Sequence, residues 1–212
     1  PRIQIKSCIL GFFGHWDRFE ICPQKIQEFL LKKLILVSND DGVHSEGIKL
    51  LAKALKKVGD VFVVAPDRER SAVSHSLTIH RPLRAEQIGS NVYAIDGTPT
   101  DCINIAINGI LKKKPDLVVS GVNKGENLGD DITYSGTVSA AMEGTLLGIP
   151  SIAISLVSRS NFDFKNAVKF GSKLAAFVLK NGLPNDTLLN VNVPAVSNIK
   201  GYRITKQGKR LY

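Results

Sequence analysis

From Leu34 onward, short uninterrupted apolar runs alternate with segments of helical periodicity, and that alternation is compatible with few folds. Leu34-Ile35-Leu36-Val37, Val61-Phe62-Val63-Val64-Ala65, Leu117-Val118-Val119, Ser151-Ile152-Ala153-Ile154 and Leu188 to Val193 are the runs. A strand that is apolar on both faces must be covered on both faces, as in a parallel sheet. Parallel neighbours need crossover connections, and the intervening segments supply them. Ser45 reads as an N-cap, followed by Ile48, Leu51, Ala52 and Leu55 on one helical face, lysines on the other, and Gly59 as the stop. Thr98-Pro99 caps and starts a second helix through Ile103, Ile107 and Ile110, with Asp101 in the first turn where the helix dipole favours it. A third helix is expected from about Val138 to Leu147, ended by Gly148 and Pro150, and a fourth near Phe164 to Leu179. A hairpin is expected around Gly89 to Tyr93, and the start of a further strand at Tyr202 to Thr205. The fold class is therefore α/β on a mostly parallel sheet.

The first 33 residues do not join this rhythm. They mix aromatic and charged residues, carry Trp16, Cys8 and Cys22, and show only a short helical pattern near Gln24 to Leu31. The domain is read as residues 34–212, with 1–33 an extension outside the core, non-native or disordered. Leu31-Lys32-Lys33-Leu34 would make an ordinary beginning if Leu31 marks an alternative start.

Composition excludes several classes. With 212 residues, 43% of them hydrophobic and 22% charged, the chain has material for one large core, so disorder is not the default. Three cysteines without regular spacing argue against a disulfide framework or a zinc site, and Cys102 reads as a small core residue. No apolar stretch approaches the roughly 18 residues of a membrane span, and no signal-peptide pattern opens the chain, so a cytoplasmic protein is expected. The formal net charge of +9 suggests anionic partners such as nucleotides or nucleic acid. Lys112-Lys113-Lys114 and Lys53, Lys56 and Lys57 read more simply as solvated faces.

The chemistry gathers at the carboxyl ends of the expected strands, where open α/β sheets bind ligands. The first strand runs into Asn39-Asp40-Asp41-Gly42. These are turn residues, but two carboxylates side by side repel unless a cation sits between them, and a divalent metal supplies one. The second strand ends at Pro66-Asp67-Arg68-Glu69-Arg70-Ser71, and the next opens into Ser120-Gly121-Val122-Asn123-Lys124-Gly125-Glu126-Asn127. Tyr134-Ser135-Gly136-Thr137-Val138 then leads into the third helix. In isolation Ser71 reads as an N-cap and Asn123 as a turn residue.

Together, in residue type, order and spacing, these four segments resemble the SurE family of survival-protein 5′-nucleotidases over about Leu34 to Tyr212. The resemblance implies a Rossmann-like three-layer sandwich. It implies a metal-dependent phosphomonoesterase acting on nucleoside 5′-monophosphates, with 3′-monophosphates and short polyphosphate as further substrates. One divalent ion per subunit, Mg²⁺ or Mn²⁺, would be held by Asp40, Asp41, Ser71 and Asn123. Such an all-oxygen set suits a hard dication rather than zinc, and would leave positions for water and a phosphate oxygen. Asp40 and Asp41 are the expected catalytic carboxylates, with one of them orienting or deprotonating the attacking water. Asn39, Asn127, Ser135, Gly136 and Thr137 are the expected phosphate and substrate contacts. Gly136 would admit an oxyanion, the two hydroxyls would donate to it, and the following helix N-terminus would face it. His75 and His80 are read either as acids for the leaving group or as structural residues.

The chain departs from the family pattern at both ends. Members begin near the first strand and continue past the equivalent of Tyr212 into a segment that helps form dimers or tetramers, so a homodimer or homotetramer is expected of the complete protein. Two rival readings are weaker. A phospho-receiver domain needs an Asp where the strand here ends in Ser120-Gly121-Val122-Asn123. A nucleic-acid module would need an aromatic stacking platform, and the 7% of aromatic residues are scattered. No membrane and no stable nucleic-acid partner is expected.

Overall fold

The computed structural model describes residues 2–8 and 33–209. Among them a nine-stranded sheet forms the middle layer. In chain order the elements are β1 (Ile3–Cys8), β2 (Leu34–Ser38), α1 (Glu46–Leu55), β3 (Asp60–Pro66), β4 (Ala85–Gly89), β5 (Val92–Ile95) and α2 (Pro99–Ile105), which a π-helical turn (Ala106–Ile110) continues. Then come β6 (Leu117–Lys124), a 3₁₀ turn (Gly129–Thr133), α3 (Gly136–Leu146), β7 (Ser151–Val157), α4 (Lys165–Asn181), β8 (Leu188–Pro194) and β9 (Tyr202–Thr205).

The strand order is β4-β5-β3-β2-β6-β7-β8-β1-β9, antiparallel for β4 with β5 and for β1 with β8 and parallel elsewhere. The period-two alternation of each strand sorts its side chains between two helical layers. Ile35, Val37, Val119, Ile152 and Leu189 pack with Leu51 and Leu55 of α1 and Leu174 and Val178 of α4. Leu36, Val64 and Val118 pack with Ile103 of α2 and Ala140 of α3, where Cys102 is fully buried. The three-layer reading is thus the observed architecture. The apolar runs and all four helices lie where the pattern places them, and the hairpin joins β4 to β5.

The sheet extends beyond the expected core. Ile3–Cys8 pairs with β8 on one side and β9 on the other, and Ile3, whose N–H donates to Gly201 O at 2.8 Å, is 2% exposed. This part of the extension therefore belongs to the sheet rather than lying outside the core. The alternation in Ile3-Gln4-Ile5-Lys6 is the strand signal, short enough to pass unread. Trp16, Cys22, the helical pattern near Gln24 to Leu31 and the suggested start at Leu31 lie outside the described residues. No helix among the described residues is long and apolar enough to cross a membrane.

Candidate metal centre and phosphate site

β2 and β6 are adjacent in the middle of the sheet, so the loops leaving them face each other. The turn after β2 lies flat on the chain leaving β3. Val43 N–H donates to Pro66 O at 2.8 Å and Arg70 N–H to Asp40 O at 2.7 Å. Gly42 has φ +92°, and a Cβ there would lie 2.9 Å from the Arg68 carbonyl carbon, so only glycine fits. Asn39 is fully buried and braces the turn, its Nδ2 donating to Gly42 O at 3.0 Å and Ser45 Oγ at 2.8 Å. Ser45 occupies the N-cap position of α1, yet its hydroxyl bonds Asn39 rather than the helix backbone.

The two carboxylates sit in different surroundings. Asp40 is 6% exposed and accepts hydrogen bonds from the Thr137 hydroxyl and backbone N–H at the start of α3. Burial raises its pKa above the ordinary carboxylate value, against the pull of those bonds. Asp41 is pushed up to about 6, by burial first and by the charge of Asp40 second. The Lys124 backbone N–H, 3.2 Å from Asp41 Oδ2, opposes this only in part. A pair held in this way is stabilised by a cation placed against both.

β6 supplies the next donor through an irregularity. Its pairing with β7 slips between Ser120 and Asn123, where Gly121 takes φ +132° and a Cβ would lie 2.3 Å from Ile154 O. The slip re-aims the strand end. Asn123 Nδ2 donates to Gly125 O at 3.0 Å, which leaves the carbonyl oxygen as the ligand atom. Ser71 comes from the long loop 67–84, where no helix follows it, so its N-cap reading does not apply. Polar contacts hold that loop: Ser74 N–H to Tyr134 O at 3.2 Å, Thr78 N–H and Oγ1 to Asp101 at 2.9 and 2.6 Å, and Thr98 Oγ1 to Ser76 O at 2.8 Å. His75 Nε2 lies 2.7 Å from Glu143 Oε2, which ties the same loop to α3. Neither His75 nor His80 is among the residues lining the cleft.

Asp40, Asp41, Ser71 and Asn123 line one cleft of about 370 Å³. A buried and a half-buried carboxylate, an amide oxygen and a hydroxyl fit a hard dication. Among the described residues there is no group of three or more His, Cys, Asp or Glu that could hold a metal, so any such site must draw on Ser and Asn as well.

The expected substrate contacts divide. Asn127 and Ser135 line the cleft, whereas Asn39, Gly136 and Thr137 lie behind it. The Thr137 hydroxyl is taken by Asp40, and a Cβ on Gly136 would lie 2.8 Å from Asp40 Cβ and 3.1 Å from Pro99 Cγ. The anion that occupies the N-terminus of α3 is thus the Asp40 carboxylate. Ser135 is the N-cap, accepting from Val138 N–H at 3.1 Å, which leaves its own O–H to donate into the cleft.

Five further lining residues were not singled out from sequence: Glu69, Ala72, Lys124, Asp131 and Tyr134. Glu69 accepts from Ser71 Oγ at 2.6 Å, and its signal was its place two residues before that serine. Lys124 and Tyr134 adjoin expected site residues, whereas nothing in the pattern marks Asp131. The lining therefore carries Asp40, Asp41, Glu69 and Asp131 against Lys124. The positive charge of the chain is not concentrated here, and a phosphate would meet mostly carboxylates unless a cation came with it.

Residues 35–212 match the family described as Survival protein SurE. A curated relative from Geotalea daltonii, 5′-nucleotidase SurE, is 59% identical over 181 residues, covering 84% of this chain and 73% of its own. One of the same name from Geobacter sulfurreducens is also 59% identical, over 84% and 69% respectively. Among solved structures, the SurE protein of Aquifex aeolicus superposes with a TM-score of 0.81 at 52% identity, over 84% of this chain and 74% of that one. This chain belongs to the SurE family of survival proteins.

Proposed function

We propose that this protein is a metal-dependent 5′-nucleotidase that hydrolyses nucleoside monophosphates to nucleoside and phosphate. One Mg²⁺ or Mn²⁺ would be held by Asp40, Asp41, Ser71 and Asn123. The observation that carries the reading is that these oxygen donors, drawn from three separate segments of the chain, share one cleft whose own charge is predominantly negative. The relatives' name supplies the substrate class.

When bound, the ion would polarise the phosphoryl group and lower the pKa of a coordinated water. The protein's own contributions follow from its contacts. Thr137 fixes the Asp40 carboxylate, which then has one orientation in which to align or deprotonate the attacking water. Ser135 donates its hydroxyl to a phosphate oxygen, and Lys124 supplies the cleft's own positive charge. Tyr134, 61% exposed at the lip, offers an aromatic face for the nucleobase.

The test is a panel of nucleoside 5′- and 3′-monophosphates and short polyphosphate, assayed with Mn²⁺, with Mg²⁺ and with a chelator. Turnover of 5′-monophosphates that the chelator abolishes and Mn²⁺ restores is expected. Undiminished turnover in chelator overturns the metal site, and tight, salt-sensitive nucleic-acid binding without turnover overturns the enzyme. A cytoplasmic location and a homodimer or homotetramer of the complete protein belong to the same proposal, the latter tested by light scattering.

A further inference from the structure

Two asparagines in β8 have no counterpart among the four motif segments. Asn190 and Asn192 are fully buried or nearly so, on a strand whose other members are Leu188, Leu189, Val191, Val193 and Pro194. Leu189, Val191 and Val193 pack with α1 and α4, so the alternation of the strand turns both amides to the opposite face. Buried amides are unfavourable in such a position unless their hydrogen bonds are made.

Asn190 Oδ1 has no hydrogen-bond partner, and the bonds the two amides do make converge on one residue of the cleft wall. Asn192 Oδ1 accepts from the Asn127 N–H at 2.9 Å, and Asn192 Nδ2 donates to the Asn127 O at 3.0 Å. A single side chain thereby holds both polar groups of one peptide residue, as a neighbouring strand would. Asn190 Nδ2 donates to the same carbonyl oxygen at 2.9 Å. On the neighbouring strand, Ser155, the register partner of Asn192, accepts from Asn127 Nδ2 at 2.7 Å. The loop held in this way leaves β6 just after Asn123 and Lys124. A further anchor is Gly125 N–H to Leu156 O at 3.0 Å, and Gln207 Nε2 donates to Gly129 O at 3.1 Å just beyond the loop. The amide clamp fixes the loop at Asn127, which is itself 6% exposed.

We infer that Asn192, assisted by Asn190, is a positioning residue of the proposed phosphatase reaction. It sets the place of Asn127 and of the wall that carries Asn123 and Lys124, and the inference rests on the reading of the cleft given above. The test compares Asn192→Ala with Val191→Ala, the adjacent residue on the opposite face of the same strand. Both remove buried atoms from β8, but only the first releases Asn127. Thermal midpoints, Mn²⁺ activation, and kcat and KM for a nucleoside 5′-monophosphate are measured well below both midpoints, together with amide exchange at Asn127.

The expected result is that Asn192→Ala raises the Mn²⁺ or substrate requirement about tenfold or more, the scale seen when support for metal ligands is lost, and speeds Asn127 exchange. Val191→Ala, with comparable loss of stability, should keep both near the parent values. If Asn192→Ala does not fold, Ser155→Ala removes only the acceptor of the Asn127 side chain and should show the same pattern more weakly. An active parent whose Asn192→Ala or Ser155→Ala kinetics match those of Val191→Ala overturns the positioning role alone. A parent inactive on every phosphomonoester with Mn²⁺ present overturns the phosphatase reading and with it this role, whatever the exchange data show.

Discussion

The two walls of the cleft are built by opposite means. One consists of strand ends: Asp40 and Asp41 follow β2, Asn123 lies near the end of β6, and all three stand on buried, largely apolar strands in the middle of the sheet. The other is the loop 67–84, which brings Ser71 without any helix or strand and is held by side chains of α2, α3 and the β5–α2 connection. A wall made of packed backbone has nowhere to move, so a single misplaced atom should be felt at once. A wall made of many polar contacts shares its restraint, so each contact should matter less.

The sharpest way to break this contrast is at the carboxylates. Asp41→Asn removes a charge from the strand wall and should lower activity by at least about 10–100-fold, the scale for lost support at a metal site, with Asp40→Asn at least as severe. Mn²⁺ titration of the initial rate is the measurement. Either variant turning over normally in the presence of chelator would remove the metal from the mechanism.

Gly136→Ala probes the same wall from behind. Its Cβ would sit 2.8 Å from Asp40 Cβ and 3.1 Å from Pro99 Cγ, between elements that cannot both yield. Overpacking of this kind costs about 1–3 kcal/mol, and here the displaced group is a proposed metal ligand. Reduced stability to urea and weaker Mn²⁺ activation are both expected. A variant as stable and as active as the parent would show that Asp40 has room the geometry denies it.

The fate of Gly136 also marks how far sequence carries. Ser71 and Asn123 joined the proposed ligands only through the family resemblance, whereas strand ends and the Thr98 cap were legible, because apolar runs and turn residues report local geometry. The inward partner of Asp40 was not. Ser135-Gly136-Thr137 has the composition of an anion cradle, but whether that anion is a phosphate or a carboxylate 97 residues earlier is decided by tertiary packing. The same holds for Asn190 and Asn192, which interrupt an apolar strand without announcing that they reach for Asn127. Ile3–Cys8 was missed for a simpler reason, since one short alternating segment pairs with a strand far along the chain.

Titration sharpens the contrast at a smaller scale. In the metal-free folded protein Asp41 holds its proton up to about pH 6, whereas an ordinary Asp releases it near 3.8. Between those values the folded state binds more protons than the unfolded one, so Asp41 makes the metal-free protein lose stability as pH rises through about 6. Bound cation offsets that loss and competes with the proton. The rise in thermal midpoint caused by Mn²⁺ should therefore be clear at about pH 7.5 and shrink toward about pH 5. A shift independent of pH across this range would place Mn²⁺ away from Asp41.

The smallest effect is expected on the loop wall. Thr78→Val keeps the side-chain shape but deletes the hydroxyl that donates to Asp101 Oδ2 at 2.6 Å. Asp101 is not left unpaired, because the backbone N–H groups of Thr78 and Thr98 still donate to it at 2.9 and 2.8 Å, and it remains the N3 partner in the cap of α2. The loss should therefore lie near the low end for a hydrogen bond to a charged group, about 1.5 kcal/mol. Ser71 stays tied through Arg70 N–H to Asp40 O, and the His75–Glu143 contact still holds the loop to α3. The thermal midpoint should fall while kcat/KM and the Mn²⁺ requirement remain close to the parent's. If Thr78→Val instead impairs activity as severely as Gly136→Ala, the loop is as rigidly coupled to the metal ligands as the strand ends are, and the distinction between the two walls fails.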